Sequence, residues 1–282
     1  MIDLAFLNEL KKFSLVVRKR VTSKYIGPKR SIMAGGGMVF KDYRMYSPGD
    51  DFRAIDWKVY GRTNHLIVKT FEEERNLEVH IVLDVSKSMD YGGKINKFEY
   101  AAMIGVGFAY LALRDNSKFN FSTFSNELET FKSKRGMRQL AEMVDYLNKS
   151  KTKGESKMLA AMTQYKNYIS SKSMIILISD FLIGIDEIKE ALLRLSKHEV
   201  KVVQILDKEE TDIGIEGDYK LKDSETSEMT QTFISNRLRL KFRDELDKHT
   251  AEIRDACGKL GYSFYQITTD KPLFDAFYEI LE

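Results

Sequence analysis

The hydrophobic pattern after residue 77 consists of short, dense apolar runs separated by stretches with helical spacing. The runs fall at Val79–Leu83, Met174–Ile178, Val200–Leu206 and Tyr262–Ile267, and they are typical of strands in a sheet that is covered on both faces. Lys118–Phe124 alternates more openly between apolar and polar positions, which favours an antiparallel edge strand. The pattern therefore predicts one sheet with helices packed against it.

Helical spacing between these runs is equally clear. Phe98–Leu113 is apolar on nearly every side and predicts a buried helix, in which Gly105 and Gly107 allow close approach to the sheet. Apolar residues three or four positions apart mark three further helices: Met137, Leu140, Val144 and Leu147; Ile185, Ile188, Leu192 and Leu195; Leu238, Phe242, Leu246 and Ile253. Strands that alternate with helices indicate a doubly wound, mostly parallel α/β sheet.

The first 75 residues follow a different pattern and predict a small N-terminal element with one helix and two strands. Apolar residues at helical spacing mark the helix: Leu4, Leu7, Leu10 and Phe13. A Gly-rich connector follows, and the strands are predicted at Met38–Tyr43 and His65–Phe71. Pro48 and Gly49 lie between them and favour a turn, since Pro fixes φ and Gly accepts the left-handed conformation.

The predicted domains are therefore residues 1–75 and residues 76–282. Within the second domain, the polar residues 208–232 interrupt the alternation of strands and helices and predict a surface insertion. A hairpin is predicted there, formed by Lys220–Lys222 and Met229–Phe233 around Asp223 and Ser224.

Composition narrows the class of protein. The chain has 282 residues, of which 43% are hydrophobic, so it is long and apolar enough for a globular core. The 45 basic and 42 acidic residues nearly cancel, which argues against a polyanion binder by overall charge. Cys257 is the single cysteine and excludes an intrachain disulfide. The longest apolar run, Ala101–Leu113, is too short for a membrane span, and we expect a soluble, cytoplasmic protein without a signal peptide.

The candidate chemistry lies directly after two of the predicted strands. Asp84, Ser86 and Ser88 follow Val79–Leu83, and Asp180 follows the strand that begins at Met174. Ligands of open α/β sheets bind beyond the carboxyl ends of the strands, so these side chains are expected to meet there. Carboxylates and hydroxyls are hard oxygen donors, which suit Mg²⁺ or Mn²⁺. The simpler alternative is that Asp and Ser only cap the turn.

The Asp-x-Ser-x-Ser spacing resembles the metal-ion-dependent adhesion site of the von Willebrand factor A superfamily. The resemblance implies that Ser86 and Ser88 coordinate the ion directly, while the acidic residues act directly or through water. It also implies a further hydroxyl from an intervening loop, for which Ser156 is the candidate and Thr152 the poorer alternative. The family has Asp after this hydroxyl, whereas this chain has Lys157, an ammonium that would weaken cation binding.

A longer stretch, residues 40–90, resembles the bacterial and archaeal domain-of-unknown-function family fifty-eight, a von Willebrand factor A-like family. The residues that carry this resemblance also suggest a partner surface or a structural ion-pair network between the predicted domains, with the tryptophan as a core anchor: Arg44, Tyr46, Pro48, Gly49, Asp50, Asp51, Arg53, Asp56, Trp57 and Arg62. Members are often encoded beside MoxR-type AAA+ ATPases. The resemblance therefore implies such an ATPase, or its client, as the partner.

The sequence thus predicts a non-enzymatic adaptor that binds an acidic group of a partner protein through Mg²⁺ or Mn²⁺. No nucleophile–base motif is recognisable, and no catalytic residue is assigned. One alternative is a Mg²⁺-dependent phosphohydrolase with Asp84 as nucleophile, although Ser86 stands where such enzymes need a second Asp. Another is nucleic-acid binding through the basic residues 1–30, for which no recognised motif is present.

Overall fold

A computed structural model describes residues 2–3, 5–13, 38–73, 78–131, 136–211, 217–222 and 229–281. The chain divides into two compact units, one made of Met1–Lys24 with Leu77–Glu282 and the other of Tyr25–Asn76. We call them the main unit and the hairpin unit. The predicted Gly-rich connector and the turn at 223–224 lie outside the described residues.

The main unit contains a six-stranded sheet. Its strands are β3 (Glu78–Asp84), β4 (Phe119–Phe124), β5 (Leu128–Thr130), β6 (Ser173–Ser179), β7 (Glu199–Leu206) and β10 (Ser263–Thr268). Their order is β10-β7-β6-β3-β4-β5, and all neighbours are parallel except β4 and β5. The predicted fold class, a doubly wound, mostly parallel α/β sheet, is confirmed.

One strand assignment was wrong. The segment predicted as an antiparallel edge forms β4, which is parallel to β3 and buried along its whole length. The antiparallel edge is the three-residue β5, which pairs with β4 from Ser122 to Phe124. The polar positions of β4 suggested a solvent face because Asn120 and Ser122 are polar, yet both side chains are buried among neighbouring elements.

Helices cover both faces of the sheet in the described residues. The predicted helices are present as α3 (Lys97–Arg114), α4 (Met137–Lys149), α6 (Ile185–Arg194) and α8 (Asn236–Leu260). Others that the pattern did not predict are α5 (Met158–Tyr168), the short α7 (Lys208–Thr211) and α9 (Leu273–Leu281). None of the helices in the described ranges is both long enough and apolar enough to cross a membrane. The predicted insertion contains a hairpin of β8 (Gly217–Lys222) and β9 (Met229–Ile234).

The first helix, α1, spans residues 5–13 and belongs to the main unit rather than to the small N-terminal element predicted for residues 1–75. Its buried side chains Phe6, Leu10 and Phe13 join the core cluster that also contains Phe277 of α9. The ring of Phe13 lies 4.7 Å from that of Tyr278, centroid to centroid. The apolar face of α1 is thus buried against elements far away in sequence.

The hairpin unit is built on two antiparallel strands, β1 (Met38–Met45) and β2 (Ile67–Glu73), with a bulge between Phe40 and Asp42. Between the strands lie the predicted turn, where Asp50 N donates to Ser47 O at 3.0 Å, and a 3₁₀ turn at Phe52–Ala54. A short helix that the sequence pattern did not predict, α2 (Trp57–Thr63), follows. Asp56 caps its N-terminus, because the Asp56 carboxylate accepts hydrogen bonds from Lys58 N and Val59 N.

Candidate functional site

Three acidic residues lie at the same edge of the sheet in the main unit. Asp84 ends β3, Asp180 follows β6, and Asp207 follows β7. These strands are parallel neighbours in the order β7-β6-β3, so their carboxyl ends meet at one edge. All three side chains are buried. The sequence-based prediction that Asp84 and Asp180 lie close together agrees with this arrangement.

Hydroxyl and amide groups surround the carboxylate of Asp84. Ser156 Oγ donates to Asp84 Oδ2 at 2.8 Å, and Ser179 Oγ donates to the same oxygen at 2.7 Å. Ser86 N donates to Asp84 Oδ1 at 2.8 Å. In the contacts found among the described residues, Asp84 thus binds neutral donors and forms no ion pair. Its negative charge is solvated by dipoles but is not neutralised.

The two serines of the Asp-x-Ser-x-Ser loop face each other. Ser86 Oγ and Ser88 Oγ are 3.0 Å apart, and Ser86 is fully buried. The loop that carries Ser156 is joined to this loop by backbone hydrogen bonds, Lys87 N to Gly154 O and Lys153 N to Val85 O, both at 2.9 Å. The three hydroxyls predicted as ligands therefore come from two loops that are fixed to each other.

Gly154 permits a close approach between the loop that carries Ser156 and Asn126, which lies between β4 and β5. Its φ is +70°, a conformation that favours glycine, and a Cβ at this position would lie 2.5 Å from Asn126 Nδ2. Asn126 in turn accepts a hydrogen bond from Glu155 N at 2.9 Å. The glycine therefore allows the loop to turn so that the following Ser156 reaches Asp84.

Ionisation of Asp84 is opposed by its environment. Burial and, after it, the nearby charge of Asp180 raise the pKa of Asp84 to about 6, while hydrogen bonds from Ser86 and Ser179 act in the other direction. A raised pKa means that the surroundings of Asp84 disfavour its negatively charged form. A cation bound nearby would favour its charged form.

Asp180 has a cation of its own, the ammonium of Lys97. Lys97 Nζ lies 2.8 Å from Asp180 Oδ2 and 2.6 Å from Glu210 Oε1, and the lysine side chain is fully buried. Burial acts to lower the pKa of Lys97, but the charges of Asp180 and Glu210 together hold this pKa above its ordinary value. Asp180 is therefore placed at the site as predicted, but one of its oxygens is already engaged in an ion pair.

The sequence predicts that the ammonium of Lys157 weakens cation binding, and this stays a prediction. Lys157 is exposed, and its backbone N–H donates to Ser125 O at 3.1 Å. The ammonium that contacts a predicted ligand is that of Lys97. Sequence reasoning missed Lys97, Glu210 and Ser179. A local signal existed for Lys97, because a basic residue stands at the first position of an otherwise apolar helix, where acids are favoured.

The backbone after Asp180 is held in a strained turn. Phe181 is buried and has a φ of +55°, which is uncommon for a residue other than glycine. Ser179 Oγ accepts a hydrogen bond from Phe181 N at 3.1 Å, and His249 Nε2 lies 2.7 Å from Phe181 O. Gln204 Nε2 donates to Asp180 O at 3.0 Å. These contacts fix the direction in which Asp180 leaves the strand.

The donor set on the Asp84 side fits a hard divalent ion. With Mg–O distances of about 2.1 Å, adjacent ligands of an octahedral ion lie about 3 Å apart, and the hydroxyls of Ser86 and Ser88 have this spacing. Ser156 and the carboxylate of Asp84 add further oxygen donors. The Asp180 side fits less well, because Lys97 binds the carboxylate oxygen that an ion would need.

The signature residues before β3 mostly make contacts within the hairpin unit. Arg44 forms a bidentate pair with Asp50, with both distances 2.7 Å. Asp51 accepts a hydrogen bond from Arg53 N at 2.9 Å. Trp57 was predicted as a core anchor, and this was wrong. The remaining signature residues, apart from Asp56, lie on the surface or are partly buried: Tyr46, Pro48, Gly49 and Arg62.

Trp57 is 59% exposed and lies at the start of α2, a short helix in which no residue is buried. Its ring meets Tyr60 edge-on, with the centroids 6.0 Å apart. Asp56 is buried and pairs with Lys69 at 2.9 Å. The pairs Arg44–Asp50 and Lys69–Asp56 lie inside the hairpin unit. The predicted ion-pair network that ties the N-terminal element to the main domain stays a prediction.

A model of the family described as protein of unknown function DUF58 matches residues 42–252. An uncharacterised protein of Mycobacterium tuberculosis is 24% identical over 267 residues, covering 93% of this chain and 84% of that protein. The uncharacterised protein YeaD of Bacillus subtilis is 24% identical over 136 residues, covering 48% of this chain and 32% of that protein.

Solved structures show a weaker likeness. The conserved hypothetical protein BatB from Bacteroides thetaiotaomicron has a TM-score of 0.44 and 16% identity, and the match covers 73% of this chain and 97% of that chain. The SpRpn10 VWA domain has a TM-score of 0.43 and 13% identity, with 72% of this chain and 95% of that chain covered.

Proposed function

The chain belongs to the DUF58 family, and we propose that it is a non-enzymatic protein-binding module whose strand-end site seats Mg²⁺ or Mn²⁺ and offers it to an acidic group of a partner. Membership confirms the family predicted from residues 40–90. One observation carries the proposal. The buried carboxylate of Asp84 is surrounded by serine hydroxyls and, in its contacts among the described residues, has no cationic partner.

The proposed ligands are Asp84, Ser86, Ser88 and Ser156, with Asp180 as the more distant acid. A bound divalent ion would supply a positive charge with an open coordination position. Neutral hydroxyls donate weakly to such an ion, so it keeps its affinity for a further carboxylate. The protein's own contribution is to hold the three hydroxyls and Asp84 together through loops that are hydrogen-bonded to each other.

A cleft beside the same loop supports binding of a polar segment of a partner. It has a volume of about 430 Å³ and is lined mainly by polar residues, including Lys87, Asp90, Asn96 and Thr152. Its openness to solvent and mixed charge suit a polar segment of another protein. By family resemblance, the partner we propose is a MoxR-type AAA+ ATPase or its client.

The test is a binding measurement between the full chain and its cognate AAA+ ATPase, made in Mg²⁺ and again in EDTA. We expect EDTA and the variant Asp84→Asn each to weaken binding at least tenfold, because both remove the carboxylate–ion contact. Asn keeps an acceptor for Ser86 N, and the hydroxyls of Ser156 and Ser179 can turn to accept from its amide. The variant should therefore stay folded.

The matched control is Asp145→Asn. Asp145 is exposed on α4 and pairs with Lys149 at 2.8 Å. The variant therefore removes one negative charge, as Asp84→Asn does, but away from the site. We expect this variant to bind the ATPase as the wild type does. Binding that is indifferent to both EDTA and Asp84→Asn would refute the proposal.

A further inference from the structure

Lys97 is the least expected residue of the site. It is a fully buried lysine at the first position of the 18-residue helix α3. Lysine is rarely buried completely, and the N-terminus of a helix carries partial positive charge that repels a cation. Lys97 therefore occupies an electrostatically costly position, and the carboxylates that it contacts must offset that cost.

Both contacts of Lys97 are directed at the metal-site edge of the sheet. Nζ is 2.8 Å from Asp180 and 2.6 Å from Glu210, and it lies 5.9 Å from the ring centre of Tyr91. Glu210 is itself held in place, because its other oxygen accepts a hydrogen bond from Asp207 N at 2.9 Å. The ammonium is thus fixed between two acids that come from different segments of the chain.

Among the described residues, the site therefore already holds a cation, the ammonium of Lys97, beside the carboxylates of Asp84, Asp180 and Glu210. Asp180 and Glu210 share the ammonium, whereas Asp84 is left with neutral donors. A divalent ion bound at Asp84 and the serines would be repelled by the ammonium of Lys97, which is paired with the neighbouring Asp180. It could use Asp180 fully only after that ion pair had opened.

We propose that Lys97 is a tethered cation that competes with the divalent ion for Asp180 and so keeps the affinity of the site for the ion low. This inference rests on the proposed function, since it concerns the same ion seat. A low affinity would allow the site to bind and release the ion reversibly. The ordinary alternative is a buried ion pair with a purely structural role, as many such pairs are.

The test is Mn²⁺ binding to the purified full chain, measured by the loss of the free-ion electron paramagnetic resonance signal. The variant Lys97→Met keeps the length of the side chain and removes its charge. We expect it to bind Mn²⁺ at least tenfold more tightly than the wild type, since repulsion is lost and Asp180 is released. Adding Asp180→Asn to Lys97→Met should reverse most of this gain, as expected for two coupled residues.

The control is Lys189→Met. Lys189 lies on α6 and pairs with Glu252 at 3.9 Å, and its side chain is 44% exposed. This variant removes one positive charge from the main unit without touching Asp180, and we expect less than a twofold change in Mn²⁺ affinity. An equal gain from both lysine variants would overturn the inference, because the effect would then be one of general charge.

The outcomes separate the inference from the proposed function. A folded Lys97→Met variant with unchanged Mn²⁺ affinity overturns the inference, while the proposed function stands if the wild type binds the ion through Asp84. If the variant binds Mn²⁺ and the wild type does not, the inference holds and the ion-dependent function fails for the native chain.

The wild type provides a second measurement if Lys97→Met does not fold. The side-chain nitrogen of Lys97 can be followed by nuclear magnetic resonance in protein with isotope-labelled lysine, because a buried, ion-paired ammonium exchanges its protons slowly. We expect this signal to shift or broaden as Mg²⁺ is added, with a midpoint that matches ion binding. A signal that stays unchanged throughout the titration overturns the inference.

Discussion

His80 and Asp84 lie on the same strand, and burial shifts their proton affinities in opposite directions. Burial lowers the pKa of His80 to about 4, although the charge of Glu78 opposes the change. The ring is neutral in the folded state, with Nδ1 2.7 Å from Tyr165 Oη and Nε2 3.3 Å from Asn120 Nδ2. Asp84 instead has its pKa raised to about 6 by burial and by Asp180.

These two pKa shifts make the free energy of unfolding depend on pH in opposite directions. The unfolded chain protonates His80 first as the pH falls, so the stability that His80 contributes is present above about pH 6.5 and is lost towards about pH 4. The folded chain protonates Asp84 first, so its contribution is largest at low pH and is lost as the pH rises through about 6. In the same acidic range, the two effects partly cancel in the wild type.

The variant His80→Gln should remove the pH-dependent contribution of His80 to the free energy of unfolding. Gln cannot take up a proton, so we expect its destabilisation relative to the wild type to shrink by about 3 kcal/mol between about pH 7 and pH 4. Urea unfolding of both proteins in EDTA measures the difference at each pH. A difference that stays constant with pH would show that His80 is not held neutral by burial.

Residues of the site differ in how far the sequence revealed them. Asp84, Ser86 and Ser88 were predictable because they share one turn, and their spacing is visible in the sequence. Lys97 and Glu210 were not predictable in this way. Lys97 contacts Asp180, which is 83 residues away in the sequence, and Glu210 contacts Lys97, which is 113 residues away. Such contacts depend on strand order and helix placement, which no local pattern fixes.

At the scale of elements, helix α3 packs closely against α9. Gly107 lies where a Cβ would be 1.8 Å from Cζ of Phe277 in α9. That ring also packs on Phe108 and Phe13, each with centroids 5.7 Å away. The close approach predicted from the glycines of this helix is therefore made by α9 at Gly107.

The variant Gly107→Ala should destabilise the main unit. Alanine gains about 1 kcal/mol of helix propensity over glycine, but the added methyl group must displace the ring of Phe277. Overpacking of this kind costs about 1–3 kcal/mol or more, and we expect a net loss of about 2 kcal/mol in the free energy of unfolding, measured in urea.

The matched control is Gly258→Ala in α8. Gly258 is exposed, and a Cβ there would meet nothing within 4 Å. Only the propensity term remains, so this variant should gain about 0.5–1 kcal/mol. If both alanines stabilised the protein, the packing of α9 on Gly107 would be contradicted.

Elements were predictable where their apolar period was long and uninterrupted. The parallel strands β3, β6, β7 and β10 and the helix α3 have such patterns, and the structure confirms them. Helix α5 was missed because its apolar residues share the segment with Thr163, Gln164 and Lys166, which blur the buried face. The short β5 and α7 contain three and four residues, too few for any period to show. Their conformation is set by the strands and acids that they contact.

At the scale of the whole molecule, the main unit is assembled from two separate stretches of the chain. Met1–Lys24 belongs with Leu77–Glu282, while residues 25–76 form the hairpin unit. Ile2 exchanges two hydrogen bonds with the side chain of Asn148, at 3.0 and 2.9 Å. The first residues therefore help to complete the main unit, although more than 50 residues of another unit intervene.

Phe13 carries the clearest test of this assembly. It is 6% exposed and packs against Phe274, Phe277 and Tyr278, with centroid distances of 5.0, 5.7 and 4.7 Å. If α1 is an integral part of the main unit, Phe13→Ala leaves a cavity beneath α9 and should cost about 3–5 kcal/mol of unfolding free energy. The exposed Phe233 in β9 is the matched control, since Phe233→Ala should change that free energy by less than about 1 kcal/mol. An α1 that docked only loosely would make the two variants equal in urea unfolding, and residues 77–282 would then hold the core without it.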